Sequence, residues 1–366
     1  MGRMTIRNAV KALAPYRFTP HAEPVKLDQN ESPDDVPATL KARVVKRLAD
    51  GAWNRYPDLT PTRLEARLAE HAGWDPDGVV VGNGSNTLIQ ALTVVAALGR
   101  RVVTVAPTFA VYATQARLLD AELVEVPLGP RFALPVEALR AVLAEGDGAF
   151  FLANPAAPTG NLFGAHEVAP LLEAAASGTL AVLDEAYAEF AGGHLTELVA
   201  RHPHAVSLRT FSKALGLAGA RVGYALAHPE VARELRKALL PFSLDLWQLT
   251  VAEVLLDEPA LVTERVAHVA RERARLTERL AALPGLEPFP SRTNFVLFRA
   301  PDPAALHAAL LRAGVVVRRQ DHLPGAAGCL RVSVGTAAEN DTFLAACRSA
   351  LEAGAEAAAP STGGPR

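Results

Sequence analysis

Seven short runs of valine, leucine and alanine recur between residues 79 and 226, at 79–81, 102–105, 123–126, 149–152, 180–183, 205–208 and 222–226. They do not alternate with polar residues, so both of their faces are apolar, as in a strand covered by helices on either side. Most of the intervening stretches carry apolar residues at helical spacing, at 87–98, 111–119, 136–143 and 168–176. Short buried strands alternating with helices predict an α/β fold built on one large, mostly parallel, seven-stranded sheet.

The pattern changes on either side of this region. Upstream, Pro15, Pro20, Pro24, Pro33 and Pro37 predict an extended arm followed by a helix over 38–50. Downstream, 229–239 and 247–280 read as long helices, with arginine and glutamate often spaced to pair along them. Short strands follow at 293–299, 315–318 and 330–334, with one helix between the first two and another at the end; this predicts a smaller α+β domain. The expected organisation is an arm contributing to the small domain over 1–50, a large domain over 51–270, a small domain over 271–356 and a disordered tail over 357–366.

Composition narrows the class. The 366 residues are 50% hydrophobic and 21% charged, enough to bury a core in about two domains. The net charge of −2 and a pI near 6.6 argue against a protein that coats nucleic acid. Mean hydropathy is +0.14, yet no run reaches the ~18 apolar residues of a membrane span. The N-terminus has no apolar stretch behind its arginines, so no signal peptide is expected. Cys329 and Cys347 are the only cysteines, too few for a disulfide framework or a metal site, which suits the reducing cytoplasm.

Four segments carry candidate chemistry. Asp184 closes a buried strand, where α/β sheets place ligand-binding groups, and Tyr187 follows three residues later. A lone strand-end aspartate is more often a helix cap; its neighbours change the balance. Lys213 follows another strand, among apolar residues and Gly216, Gly219 and Gly223. An isolated ammonium there is costly unless it is neutral or chemically used. The chain has only five other lysines, and Lys41, Lys46 and Lys237 lie among charged residues on helices, as snorkelling surface lysines do. Ser212 and Arg221 flank Lys213 and are able to hold an anion. Gly82-Asn-Gly-Ser-Asn-Thr87 links a strand to a helix, where free N–H groups cradle phosphate; alone it is equally a plain turn. Asn154, ahead of Pro155, Pro158 and Gly160, presents an amide at the same sheet edge. Together these residues fit pyridoxal 5′-phosphate, with a lysine to hold it covalently and an aspartate for its ring nitrogen. A nicotinamide dehydrogenase lacks support, because Thr87 replaces the third glycine of its fingerprint and Lys213 stays unexplained.

These motifs identify a resemblance to the fold-type I aminotransferases, and within them to the histidinol-phosphate aminotransferases. It covers nearly the whole chain, through Leu13-Ala-Pro-Tyr16, Leu27-Asp-Gln-Asn-Glu31, Asn54-Arg-Tyr-Pro57, Pro107-Thr-Phe109, Asp184-Glu-Ala-Tyr187, Ser212-Lys213, Gly219-Ala-Arg221, Thr293-Asn-Phe295 and Leu330-Arg-Val-Ser-Val-Gly-Thr336. The resemblance implies that Lys213, Asp184 and Tyr187 are catalytic and that Lys213 binds the cofactor covalently. It implies a cofactor shell of Gly84, Ser85, Asn86, Phe109, Asn154, Asp184, Tyr187, Ser212, Arg221 and, from a second subunit, Tyr56, hence a homodimer with shared sites. Tyr16, Asn30, Arg318 and Arg331 are implied as substrate contacts, although strand alternation allows only one of Arg318 and Arg319 to face inward. The implied reaction is transamination of L-histidinol phosphate with 2-oxoglutarate, in histidine biosynthesis. Threonine-phosphate decarboxylation and aromatic amino-acid transamination are the alternatives on the same scaffold. Ala156-Ala157, Asn86 and Phe109 depart from the family's usual residues without removing a catalytic group. A DNA-binding regulatory relative is not expected, since the proline-broken first fifty residues offer no such module.

Overall fold

A computed structural model of the chain describes residues 5–15 and 23–358. Tyr16 lies outside the described residues, as does the expected tail from residue 359 onward. The strands are β1 (Val25–Lys26), β2 (Val79–Asn83), β3 (Arg101–Ala106), β4 (Glu122–Pro127), β5 (Gly148–Ala153), β6 (Thr179–Asp184), β7 (Ala205–Thr210), β8 (Val222–Leu226), β9 (Glu287–Pro288), β10 (Phe295–Arg299), β11 (Val315–Val316), β12 (Arg318–Arg319) and β13 (Cys329–Ser333).

The seven runs between 79 and 226 form one sheet in the order β2-β8-β7-β6-β5-β3-β4. Six strands run the same way, and β8 is antiparallel to both of its neighbours, β2 and β7. That reversal brings Val222, the first residue of β8, beside Asn83 at the end of β2. Arg221 therefore enters at the edge where the other strands leave. Successive residues explain the absence of polar alternation. Val103, Phe150, Leu152, Ala181 and Leu183 pack with Leu139, Leu143, Val168, Leu171 and Leu172 on one face. Val102, Ala149, Phe151, Val182, Val206 and Leu208 pack with Leu88, Ile89, Leu92 and Tyr112 on the other. Both faces are thus removed from water, as buried α/β strands require.

A second sheet, β12-β13-β10-β9, is antiparallel. Its core includes Phe295, Phe298, Leu330 and Val332, and it reaches across to Leu27 of the arm and Tyr187 beyond β6. Three expectations change. The helical stretch 247–280 divides into Leu246–Leu256 and Pro259–Ala281. Pro259 lacks an N–H to continue a helix and disfavours helical backbone at Glu258, whose φ is −123° and ψ 57°. The strand over 315–318 also divides: β11 pairs in parallel with β1, while β12 joins β13. The last helix, Ala337–Ala358, extends two residues into the stretch expected as tail.

Candidate active site

Phosphate-binding geometry begins where β2 meets the helix Gly84–Ala97. Asn83 at its N-cap makes no side-chain capping bond, which leaves N–H groups of the first turn facing outward. Gly84 has φ +74°, and a Cβ there would strike the Arg221 guanidinium. A Cβ at Gly223 would strike the Ser85 nitrogen. These two glycines let a guanidinium and a strand approach a helix N-terminus closely. Arg221 itself adopts φ +55°, and its Nη1 donates to Ser212 Oγ at 3.3 Å. Ser85, Ser212 and Arg221 thus converge, while Asn86 is solvent-exposed.

Asp184 ends β6 with only 5% of its surface exposed. Its Oδ2 accepts from the Tyr112 hydroxyl at 2.6 Å, and its Oδ1 from the Ala186 N–H at 3.2 Å. Burial pushes its carboxyl above the usual range, and the hydrogen bond from Tyr112 opposes that shift. Burial and the neighbouring Asp184 likewise push the Tyr112 phenol well up. Beside it, buried Asn154 pins the chain after β5: its Oδ1 accepts from the Phe163 N–H at 2.8 Å and its Nδ2 donates to the Phe163 carbonyl at 3.0 Å.

Lys213 sits between this edge and the arm. Its Nζ donates to the carbonyls of Gln29 and Asn30 at 3.2 and 3.0 Å and lies 5.6 Å from the Tyr187 ring centre. Asn30 is held on all sides. Its φ is +55°, its Nδ2 donates to the Tyr187 hydroxyl at 2.9 Å, and its N–H donates to Ser333 Oγ at 2.8 Å. The Asn294 amide donates to its carbonyl at 3.0 Å. Arg331 Nη2 donates to the neighbouring Asp28 carbonyl at 2.7 Å, with its guanidinium 5.2 Å over the Phe295 ring. Arg318 pairs with Arg331 across the strands, whereas Arg319 is exposed and bound to Asp321.

The sequence matches the class I and II aminotransferases over residues 22–346. The chain belongs to this family. Among its curated relatives, the histidinol-phosphate aminotransferase of Deinococcus radiodurans is 46% identical over 347 residues, covering 94% of this chain and 96% of that protein. The enzyme of the same name from Thermococcus kodakarensis is 41% identical, covering 93% and 97%. The crystal structure of histidinol-phosphate aminotransferase from Sinorhizobium meliloti, in complex with pyridoxal-5′-phosphate, superposes with a TM-score of 0.87 at 27% identity, covering 96% of this chain and 99% of that one. The aminotransferase is therefore a fold-type I enzyme dependent on pyridoxal phosphate.

Most residues singled out from sequence meet at one sheet edge. Gly84, Ser85, Phe109, Asn154, Asp184, Ser212, Lys213 and Arg221 leave or enter its strands, and Tyr187 and Asn30 close it from the side. Tyr56 does not join them within its own chain. It is 81% exposed and stacks on Phe242, ring centres 4.6 Å apart. Tyr112 is the residue that sequence reasoning missed. A phenol three positions beyond Phe109, on a helix face shared with Ala113 and Ala116, has the pattern of a core aromatic, and only its hydroxyl, aimed at Asp184, sets it apart.

Proposed function

We propose that this aminotransferase moves the amino group of L-histidinol phosphate to 2-oxoglutarate, giving imidazole acetol phosphate and glutamate, as a step of histidine biosynthesis. The observation that carries the reading is the 46% identity, over 94% of the chain, to a curated histidinol-phosphate aminotransferase. The donor set fits the cofactor. A helix N-terminus with Ser85, Ser212 and Arg221 suits a dianionic phosphate, and a buried carboxylate at Asp184 suits a protonated ring nitrogen. Pyridoxal 5′-phosphate supplies an electron sink for the charge that develops at the carbon bearing the amino group.

The chain's own residues do the remainder. Lys213 Nζ would hold the cofactor covalently, and the same amine would move the proton at the carbon bearing the amino group. Asn154 and Tyr187 would hold the ring oxygen, and Phe109 would pack against the ring. Tyr16, Asn30, Arg318 and Arg331 bind the substrate, Arg331 gripping phosphate in one half-reaction and carboxylate in the other, and Arg318 joining it on the phosphate. In this reading 51–270 forms the cofactor domain and 271–356 the small domain carrying both arginines.

The working unit is a homodimer in which Tyr56 of each subunit reaches the phosphate held by the other. Supporting this, Trp53, Tyr56, Leu59 and Leu240 are each more than 60% exposed, and Tyr56 stacks on Phe242, giving large apolar side chains that a second subunit would cover. The reading places the enzyme in the cytoplasm; among the described residues no helix is long and apolar enough to cross a membrane, and both cysteines are unbridged. The deciding experiment is an amino-donor panel with 2-oxoglutarate. Histidinol phosphate should give the highest kcat/KM. A higher value for phenylalanine, or carbon dioxide release from threonine phosphate, overturns the assignment.

A further inference from the structure

Tyr112 occupies a position with little freedom. It lies in the first turn of the helix Val111–Leu118 and is fully buried. Phe151 of β5 stacks on its ring, centres 5.1 Å apart and planes 15° from parallel. Phe109 meets the ring edge-on at 5.7 Å. With both contacts in place, its hydroxyl projects to Asp184 Oδ2 at 2.6 Å. The hydroxyl is thus a fixed donor to a carboxylate that has little water around it. A buried carboxylate without donors tends to take up a proton, whereas a hydrogen bond to its charged form keeps it ionised.

We propose that Tyr112 is a positioning residue that, through its hydrogen bond to Asp184 Oδ2, keeps Asp184 ionised and aimed so that the proton resides on the cofactor's ring nitrogen. The inference rests on the reading that Asp184 faces that nitrogen. Tyr112 acts through Asp184, and through its edge contact with Phe109 it also braces the residue assigned to the cofactor ring. Removing the hydroxyl leaves the ring packing intact and Oδ2 without its phenolic donor. The proton then shifts toward Asp184, and the charged pairing that binds the nitrogen weakens.

The test is binding, not turnover. Full-length wild-type and Tyr112→Phe apoenzymes are titrated with pyridoxal 5′-phosphate and with the analogue that has carbon in place of the ring nitrogen, following protein fluorescence. Tyr112→Phe should lose about tenfold in affinity for the natural cofactor, the scale of one hydrogen bond to a charged group, and less than about twofold for the carbon analogue. Nitrogen-15 NMR of the labelled, bound cofactor should move toward the unprotonated value in Tyr112→Phe. Tyr112→3-fluorotyrosine, a stronger donor of nearly the same volume, should move it the other way and serves if Tyr112→Phe fails to fold. Equal losses for cofactor and analogue, or an unmoved nitrogen signal, overturn the role of Tyr112. If the wild type binds cofactor and analogue equally, the pairing of Asp184 with the nitrogen fails, and the proposal falls with it.

Discussion

Arg318 and Arg331 are direct cross-strand partners in β12 and β13, so two guanidinium side chains leave the same face of one small sheet. Like charges placed opposite each other on a sheet repel. An anion bound between them converts that cost into two charged, forked hydrogen-bonding sites. Losing one charged partner of a bound anion costs on the order of 2–5 kcal/mol. Arg331→Ala should therefore damage both half-reactions, and also free the Asp28 carbonyl that Arg331 holds. Arg318→Ala should hurt histidinol phosphate strongly and phenylalanine much less. Single-turnover absorbance of the cofactor separates the two. Equal losses for donors with and without phosphate would mean the phosphate is read elsewhere.

Gly84 supports a second expectation. An alanine here meets the Arg221 guanidinium and must adopt φ +74°, a left-handed backbone that costs a non-glycine residue about 1 kcal/mol or more. Gly84→Ala should fold, since the clash lies at the sheet edge, but hold the cofactor at least about tenfold more weakly. Dialysis followed by cofactor absorbance measures this. Unchanged retention would remove Arg221 from the phosphate cradle.

Lys213 should be the labelled residue after borohydride reduction of the holoenzyme and peptide mapping. Its Nζ is turned toward the arm carbonyls at 29 and 30, away from the charged helix surfaces where Lys41 and Lys237 form ion pairs. Label on another lysine would end the assignment.

Large parts of this arrangement are legible in the sequence. Uninterrupted apolar runs mark strands covered on both faces, and a lysine among glycines after such a strand stands out in a chain with only five other lysines. Pairings between distant segments were not legible. Alternation showed that one of Arg318 and Arg319 faces inward, yet the choice depends on Arg331, which joins only through strand pairing. Tyr112 was hidden because its ring packs as any core aromatic does, and its hydroxyl partner lies 72 residues away. The break at Pro259 was signalled locally but overridden by the helical spacing on both sides.

Tyr56 is exposed at the surface of its chain, stacked on Phe242. If it completes the site of a second subunit, Lys213→Ala and Tyr56→Ala chains should each be inactive or severely impaired. Mixed together after subunit exchange, they should recover partial activity, because one hybrid site has both residues. A fully active Tyr56→Ala enzyme, or a mixture that recovers nothing, would reject the shared site.

Acid stability offers a test away from the active site. Glu272, on the helix Pro259–Ala281, accepts from Arg275 Nη2 at 2.7 Å and from Asn340 Nδ2 at 2.8 Å, tying that helix to the last one. The hydrogen bond from Arg275 is the main cause that holds its carboxyl below the ordinary value of 4.5, burial opposing it. A carboxylate depressed on folding contributes stability above its unfolded value, and that contribution is lost as the pH falls through the folded one. Glu272→Gln should therefore lower stability at pH 7 by about 1 kcal/mol or less, the ion pair being partly open to solvent. The gap between variant and wild type should hold from pH 7 down to about 5 and close progressively below about 4.5. Urea midpoints measured across that range decide it. A gap that widens on acidification would mean that Glu272 is protonated more readily in the folded protein than in the unfolded chain, the reverse of what its two donors dictate.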